Sequence, residues 1–133
     1  MKGTYSVEVR FKDIDIAGHV HNSIYLSFFE QARIDYFNEI TEGNWNWKKK
    51  GLILARNEVD YLIPVYLEDK IQVTVHCDHI GTKSFTLSYE LFSKKDGKTV
   101  IHTKGRSILV CMNYETEETV NIFEEWKNAL HGL

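Results

Sequence analysis

Within twelve residues this chain brings together two carboxylates, two imidazoles, a glycine and an amide: Phe11-Lys12-Asp13-Ile14-Asp15-Ile16-Ala17-Gly18-His19-Val20-His21-Asn22. The stretch ends where a run with helical spacing begins. A helix N-terminus presents unpaired N–H groups and the positive end of the helix dipole. Such an end can polarise a carbonyl and hold a developing oxyanion. A carboxylate beside it can act as nucleophile or general base. Together these are the minimal parts for hydrolysing an activated acyl group. Asp15 is the candidate carboxylate, although Asp is also a common turn residue that accepts backbone N–H bonds. Asp13 reads as structural, orienting the loop. Gly18 reads as a backbone requirement that lets chain or substrate approach closely.

His19 and His21 alternate and, with Asp15, resemble part of a metal site. Zinc needs about three or four ligands at fixed geometry. No further His or Cys group follows at a suitable spacing, so neither metal nor cofactor is expected. His21 is expected to line a pocket or to bond locally. His76, His79 and His102 are scattered on later strands, where exposed or interface positions are expected.

The elements that must position these groups are legible as periodicities. Tyr5 to Phe11 alternates as a strand, with Tyr5, Val7, Val9 and Phe11 on one face. From Asn22 to Ile40 the spacing turns helical: Tyr25, Phe28, Phe29, Ala32, Tyr36 and Ile40 recur on one side. Ile24, Leu26, Ile34 and Phe37 add apolar surface elsewhere, which predicts a helix buried on several sides. Asn22 or Ser23 is the expected N-cap. Glu30 and Arg33 are spaced to pair on the polar edge, which is simpler than a catalytic Glu30. Tyr25 is expected in the core or in a pocket wall.

Asn44 to Gly51 reads as a turn-rich connection carrying Trp45 and Trp47, two aromatics able to wall a pocket. Strands are then expected over Leu52–Ile63, Lys70–Ile80, Ser84–Ser93 and Thr99–Met112. Ile71, Val73, Val75 and Cys77 share one face, as do Phe85, Leu87, Tyr89 and Leu91. Lys95-Asp96-Gly97-Lys98 is a hairpin turn, because Asp-Gly favours positive φ. Asn121–Leu130 reads as a short terminal helix. Consecutive strands with short turns imply an antiparallel sheet, against which the one long apolar helix must bury itself. The fold class is α+β.

Composition narrows the function classes. The 133 residues suit a single domain, 1–133, and 43% are apolar. A net charge of −3, with no dense basic stripe beyond Lys48-Lys49-Lys50, argues against nucleic acid as a partner. No apolar window has membrane-spanning length, and no signal-peptide pattern opens the chain, so a cytoplasmic protein is expected. Cys77 and Cys111 lie in strand-like runs outside any CxxC pair and read as buried reduced thiols.

One pattern is more specific. Asp13-x-Asp15-x-x-Gly18-His19-Val20-x-Asn22-x-x-Tyr25, followed by Phe29-Glu30-x-Ala32-Arg33, resembles the signature of hotdog-fold thioesterases. The nearest group is the 4-hydroxybenzoyl-CoA thioesterase-like acyl-CoA thioesterases. Val59-x-Tyr61-x-x-Pro64, Asp69 and Gly81-Thr82-Lys83-Ser84 also fit, and the resemblance runs from Tyr5 to about Met112. It implies an antiparallel sheet of about five strands wrapped around one long central helix. It implies hydrolysis of an acyl-CoA or acyl-carrier-protein thioester, with Asp15 as catalytic carboxylate. Oxyanion support would come from backbone near Asn22, with His21 and Tyr25 as neighbours of the substrate. The resemblance further implies a homodimer or homotetramer with sites at subunit interfaces. Lys83 and Ser84 are the candidates for holding the CoA nucleotide, although Lys83 also reads as an ordinary turn lysine. A non-catalytic acyl-binding module of the same fold is the rival outside enzymology.

Overall fold

The computed structural model describes residues 2–132; Met1 and Leu133, the outer bounds of the expected domain, lie outside the described residues. The elements are β1 (Lys2–Val7), α1 (Tyr25–Ile40), β2 (Gly51–Tyr61), β3 (Ile71–Ile80), β4 (Ser84–Lys95), β5 (Lys98–Asn113), β6 (Glu118–Thr119) and α2 (Glu124–His131). All pairings are antiparallel, in the order β1-β3-β4-β5-β2, with the two-residue β6 added to β5. The sheet curls around α1. This is the hotdog architecture, with β6 as a small addition to the five expected strands.

The alternations explain the sheet. Val73, Val75, Phe85, Leu87, Tyr89, Leu91, Leu109 and Cys111 all face the helix and are buried. The Asp96-Gly97 turn has positive φ at both residues, 53° and 76°, which matches the right-handed twist of the flanking strands. Three register shifts, at Leu54/Arg56, Cys77/His79 and Leu91/Phe92, interrupt the ladders. Such bulges bend a strand and let the sheet curl. The second of them turns Cys77 partly out of the core, so Cys111 alone is the fully buried thiol. Both thiols are free, and burial pushes that of Cys111 up to about 11.

Several expectations need correction. β1 spans Lys2–Val7 rather than Tyr5–Phe11, and Phe11 is 83% exposed. The Asp13 carboxylate accepts the Arg10 N–H at 2.9 Å, closing a 3₁₀ turn over Phe11–Asp13 and drawing the chain away from the ladder. α1 buries Tyr25, Phe28, Phe29, Ala32, Tyr36 and Phe37, but Leu26 and Ile34 are exposed. The helix is therefore covered on one side and open on the other. Trp47 is also exposed, edge-on to Tyr114, whereas Trp45 packs against Phe37 and Trp126. His102, expected at an exposed or interface position, is 0% exposed.

The seat of α1 on the sheet is Phe29. Its ring stacks on Tyr89, with centroids 4.6 Å apart and planes 10° from parallel. On β5 it lies over Gly105, which pairs with Tyr89 on one side and Val59 on the other. A Cβ at Gly105 would stand 2.5 Å from the Phe29 ring and 3.2 Å from the Glu58 carbonyl oxygen. Neither neighbour can yield, one being stacked and the other backbone. Gly105→Ala is therefore expected to destabilise the fold by about 1–3 kcal/mol, the usual cost of overpacking. The denaturation midpoint of Gly105→Ala against wild type measures this.

Candidate active site

The acidic loop is a tight excursion pinned at its base. Ile14 and Val20 form an antiparallel bridge, and the Asp15 N–H donates to the His19 carbonyl at 2.9 Å. Gly18 closes the turn with φ +89°, a conformation L side chains rarely adopt, and donates to the Asp15 carbonyl at 3.0 Å. Oδ1 of Asp15 accepts the Ala17 N–H at 2.9 Å. The turn role anticipated for an aspartate is thus real, and it engages one carboxylate oxygen. Oδ2 faces His19 Nδ1 at 3.9 Å, and the Asp15 side chain keeps 25% exposure. Asp13 is buried at 6%, accepts the Arg10 N–H through its side chain and the His21 N–H through its carbonyl. It is a structural anchor, as expected.

The loop delivers the chain into the helix through a 3₁₀ turn, Asn22–Ile24, before α1 proper begins at Tyr25. The cap is neither Asn22 nor Ser23. His21 Nδ1 accepts the Ser23 N–H at 3.1 Å and lies 2.8 Å from Ser23 Oγ. A ring nitrogen two residues upstream reaches that N–H as the shorter side chains on the turn itself do not. The Asn22 carbonyl accepts the Tyr61 hydroxyl at 3.1 Å, tying the helix entry to the end of β2.

These parts surround one cavity of about 450 Å³, lined by Asp15, His19, His21, Asn22 and Tyr25 on one side and by Tyr61, Leu62, Ile63 and Pro64 on the other. Tyr25 is buried, edge-on to Tyr61 at 5.1 Å. Burial raises its phenol above the ordinary value, partly offset by the Val65 backbone group it bonds. It is a wall that stays protonated. The site thus combines an anchored carboxylate, two imidazoles, a helix entry and an apolar wall.

Asp15, His21, Asn22 and Tyr25 come together as expected. Lys83 and Ser84 do not join them: Lys83 lies in the β3–β4 turn and Ser84 opens β4 opposite Val110 of β5, whereas the cavity's Tyr61 pairs with Thr103, seven positions along β5, roughly 23 Å at the rise of a strand. Glu30 and Arg33 also lie elsewhere. Their charged groups are 3.8 Å apart, and Arg33, with a side chain only 12% exposed, donates to the Tyr89 hydroxyl at 3.1 Å. Trp45 lines a smaller slot of about 280 Å³ with Phe37, Leu52, Leu54 and Leu109, and Glu30 and Arg33 border the same slot. The wall residues Leu62 and Ile63 escaped sequence reading because they look like the end of a strand. Tyr61 and Pro64 stood in the motif without an assigned task. Among the described residues, no group of three His, Cys, Asp or Glu is arranged to hold a metal ion.

With this geometry in view, comparison with known proteins is decisive at one level. A model of the thioesterase-like superfamily matches residues 9–130. The chain belongs to that family. It is 29% identical over 124 residues to the uncharacterized protein YsmA of Bacillus subtilis (strain 168), covering 93% of this chain and 82% of that protein. It is 24% identical over 128 residues to the long-chain acyl-CoA thioesterase FadM of Escherichia coli (strain K12), covering 96% of each. A crystal structure of a thioesterase from Thermus thermophilus, complexed with coenzyme A and Zn, is 32% identical, covers 96% of this chain and 95% of that one, and superposes with a TM-score of 0.78. This thioesterase-like chain therefore shares its fold with the Thermus thermophilus enzyme over nearly its whole length. Among its described residues no helix is long and apolar enough to cross a membrane.

The His21 cap carries a prediction. His21→Ala is expected to lose about 0.5–1 kcal/mol of stability, and His21→Asn to recover most of it, because an Asn oxygen can accept the same N–H. Urea unfolding of the two variants against wild type checks this.

Proposed function

We propose that this chain, as a single thioesterase domain, hydrolyses acyl-CoA to free acid and CoA, with Asp15 as the catalytic carboxylate. The observation that carries the reading is the one cavity that Asp15 and the entry to α1 both line. The thioester carbonyl oxygen points at the first-turn N–H groups. Ser23's is taken by His21, so the N–H of Asn22 is the donor to the developing oxyanion. The helix dipole adds to this field. Acyl-CoA as substrate class is supported by the activity named for the Escherichia coli relative and by the coenzyme A held by the Thermus thermophilus one.

Two routes balance. Asp15 attacks the carbonyl carbon, the C–S bond breaks, and CoA leaves as thiolate to be protonated; water then opens the mixed anhydride, returning the carboxylate. In the other route Asp15 takes a proton from water as the water attacks, and CoA thiolate departs with that proton. Single turnover in ¹⁸O water tests the first route: label appears in the Asp15 carboxylate when water opens the anhydride at that carbon, and the second route never places it there. His21 and Tyr25 border the acyl group in either route. Lys83 and Ser84 would meet a CoA nucleotide only across a subunit boundary.

The active form in this reading is a homodimer or a larger even assembly. β2 is an edge strand with its outer backbone unpaired, and Ile53, Leu54, Tyr61, Leu62 and Ile63 are 37–54% exposed along it and just beyond. A long apolar edge of this kind invites strand pairing. It adjoins the site cavity, so a second copy there would complete the wall. The two unpaired thiols support a reducing, cytoplasmic setting.

Asp15→Asn keeps an oxygen for the Ala17 N–H and should fold normally. Its hydrolysis of acyl-CoA is expected to fall by about 10²–10⁴-fold; a folded variant with near-normal turnover would sink the assignment. Leu54→Asp is expected to shift wild-type dimers towards monomer in sedimentation, and a wild type that sediments as monomer at micromolar concentration excludes the assembly.

A further inference from the structure

Beyond Tyr61, the cavity wall opposite Asp15 is not part of the sheet ladder. β2 ends at Tyr61, and Leu62–Pro64 runs on beyond it, with a proline that has no N–H to offer. What holds this segment is one residue of β5. Phe92 pairs with Ile101 and Leu91 with Thr103, so His102 is the extra residue of a bulge. Its carbonyl accepts from both the Leu62 and Ile63 N–H groups, at 2.9 and 3.0 Å. Its ring reaches the same segment: Nδ1 lies 3.2 Å from the Ile63 carbonyl oxygen and 3.0 Å from that of Pro64. Nε2 lies 2.7 Å from Ser93 Oγ. Carbonyl oxygens only accept, which assigns a proton to Nδ1; in the neutral ring Nε2 then accepts from the Ser93 hydroxyl.

The segment is tied by hydrogen bonds to the Asp15 loop. The next residue, Val65, accepts the Val20 N–H at 2.8 Å and bonds the Tyr25 phenol. A path of hydrogen bonds therefore runs from Ser93 through His102 to the wall, and from the wall to the loop and helix that bear Asp15 and Asn22. The imidazole at its centre is fully buried. A buried polar side chain is costly unless satisfied, and here both nitrogens are. An apolar residue would leave the Ile63 and Pro64 carbonyls without this partner. Bulges commonly re-aim a side chain beside an active site, and this one turns a histidine inward where strand alternation alone does not require it.

We propose that His102 is a positioning residue: by clamping Leu62–Pro64 it sets the distance between the apolar wall and the Asp15 loop. This rests on the function proposed for the Asp15 cavity. A misplacement of about 1 Å in such a site can cost on the order of 100-fold in rate.

The experiment compares His102→Leu, His102→Asn, His102→Gln and Ser93→Ala. Asn keeps an amide donor near the Nδ1 position, Gln carries its amide out towards Nε2, and Leu keeps neither. Hydrogen exchange at the Leu62 and Ile63 amides reads the clamp without reference to activity. Protection is expected to fall at least about tenfold in His102→Leu and His102→Gln and to be largely retained in His102→Asn and Ser93→Ala. On acyl-CoA, kcat/KM per folded enzyme should fall about 10–100-fold in the first pair and little in the second. If His102→Leu does not fold, the contrast between His102→Asn and His102→Gln decides. Equal exchange in those two variants overturns the clamp. Altered exchange with unchanged kcat/KM overturns the positioning role. A wild type inert towards every acyl-CoA overturns the proposed function and with it the kinetic role, while exchange still judges the clamp.

Discussion

The structure depends on how closely a long helix can approach a curled sheet. That approach is set where Phe29 lies on Tyr89 and over a residue with no side chain, Gly105. Burying one such ring contributes about 1.5–3 kcal/mol, and an aromatic pair adds about 0.5–1.5 kcal/mol. The geometric consequence matters more than the energy. With Phe29 seated, the helix has one depth and one rotation, and its first turn meets the end of β2 where Tyr61 bonds the Asn22 carbonyl. The position of the helix entry is therefore decided further along the helix, by packing.

The site is assembled from three pieces with different kinds of support. The Asp15 loop is held locally, by an Asx turn, a glycine with positive φ and a two-residue bridge. The helix entry is held by the seat of α1 and by the His21 cap. The wall, Leu62–Pro64, is held from behind by a buried histidine. Only the first piece is self-sufficient. The other two depend on contacts between residues distant in the chain, such as Phe29 with Tyr89 and His102 with Pro64.

The exposed faces follow the same logic. α1 leaves Leu26 and Ile34 uncovered, and β2 leaves its apolar edge unpaired. Only the exposed residues just beyond β2, with Tyr61 at its end, border the site cavity; Leu26 and Ile34 lie outside its lining. The inner core, by contrast, is closed by α2, whose Trp126 meets Phe37, Trp45 and Phe123.

The order of elements, the inward strand residues, the Asp96-Gly97 hairpin and the Asp15 loop were all legible in the sequence. Each depends on interactions between residues near one another in the chain: alternation, helical spacing, or the φ preference of a glycine. The clustering of Asp15, His21, Asn22 and Tyr25 was legible for the same reason, since they span eleven positions. What a local reading missed needed a distant partner. His102 looked like a strand histidine bound for the surface, because its inward turn comes from a bulge defined by the register of β4 against β5. The order of residues likewise does not reveal how far the turn carrying Lys83 lies from Tyr61 along the sheet. Arg33 pairs with Glu30 as their spacing suggests, and it also donates to Tyr89, 56 positions away, which spacing does not show. By itself the sequence determined which groups gather at the candidate site and which elements carry them. Only the tertiary structure decided what faces them, because register, bulges and the depth of a helix on its sheet are set by packing between segments that never meet in the chain.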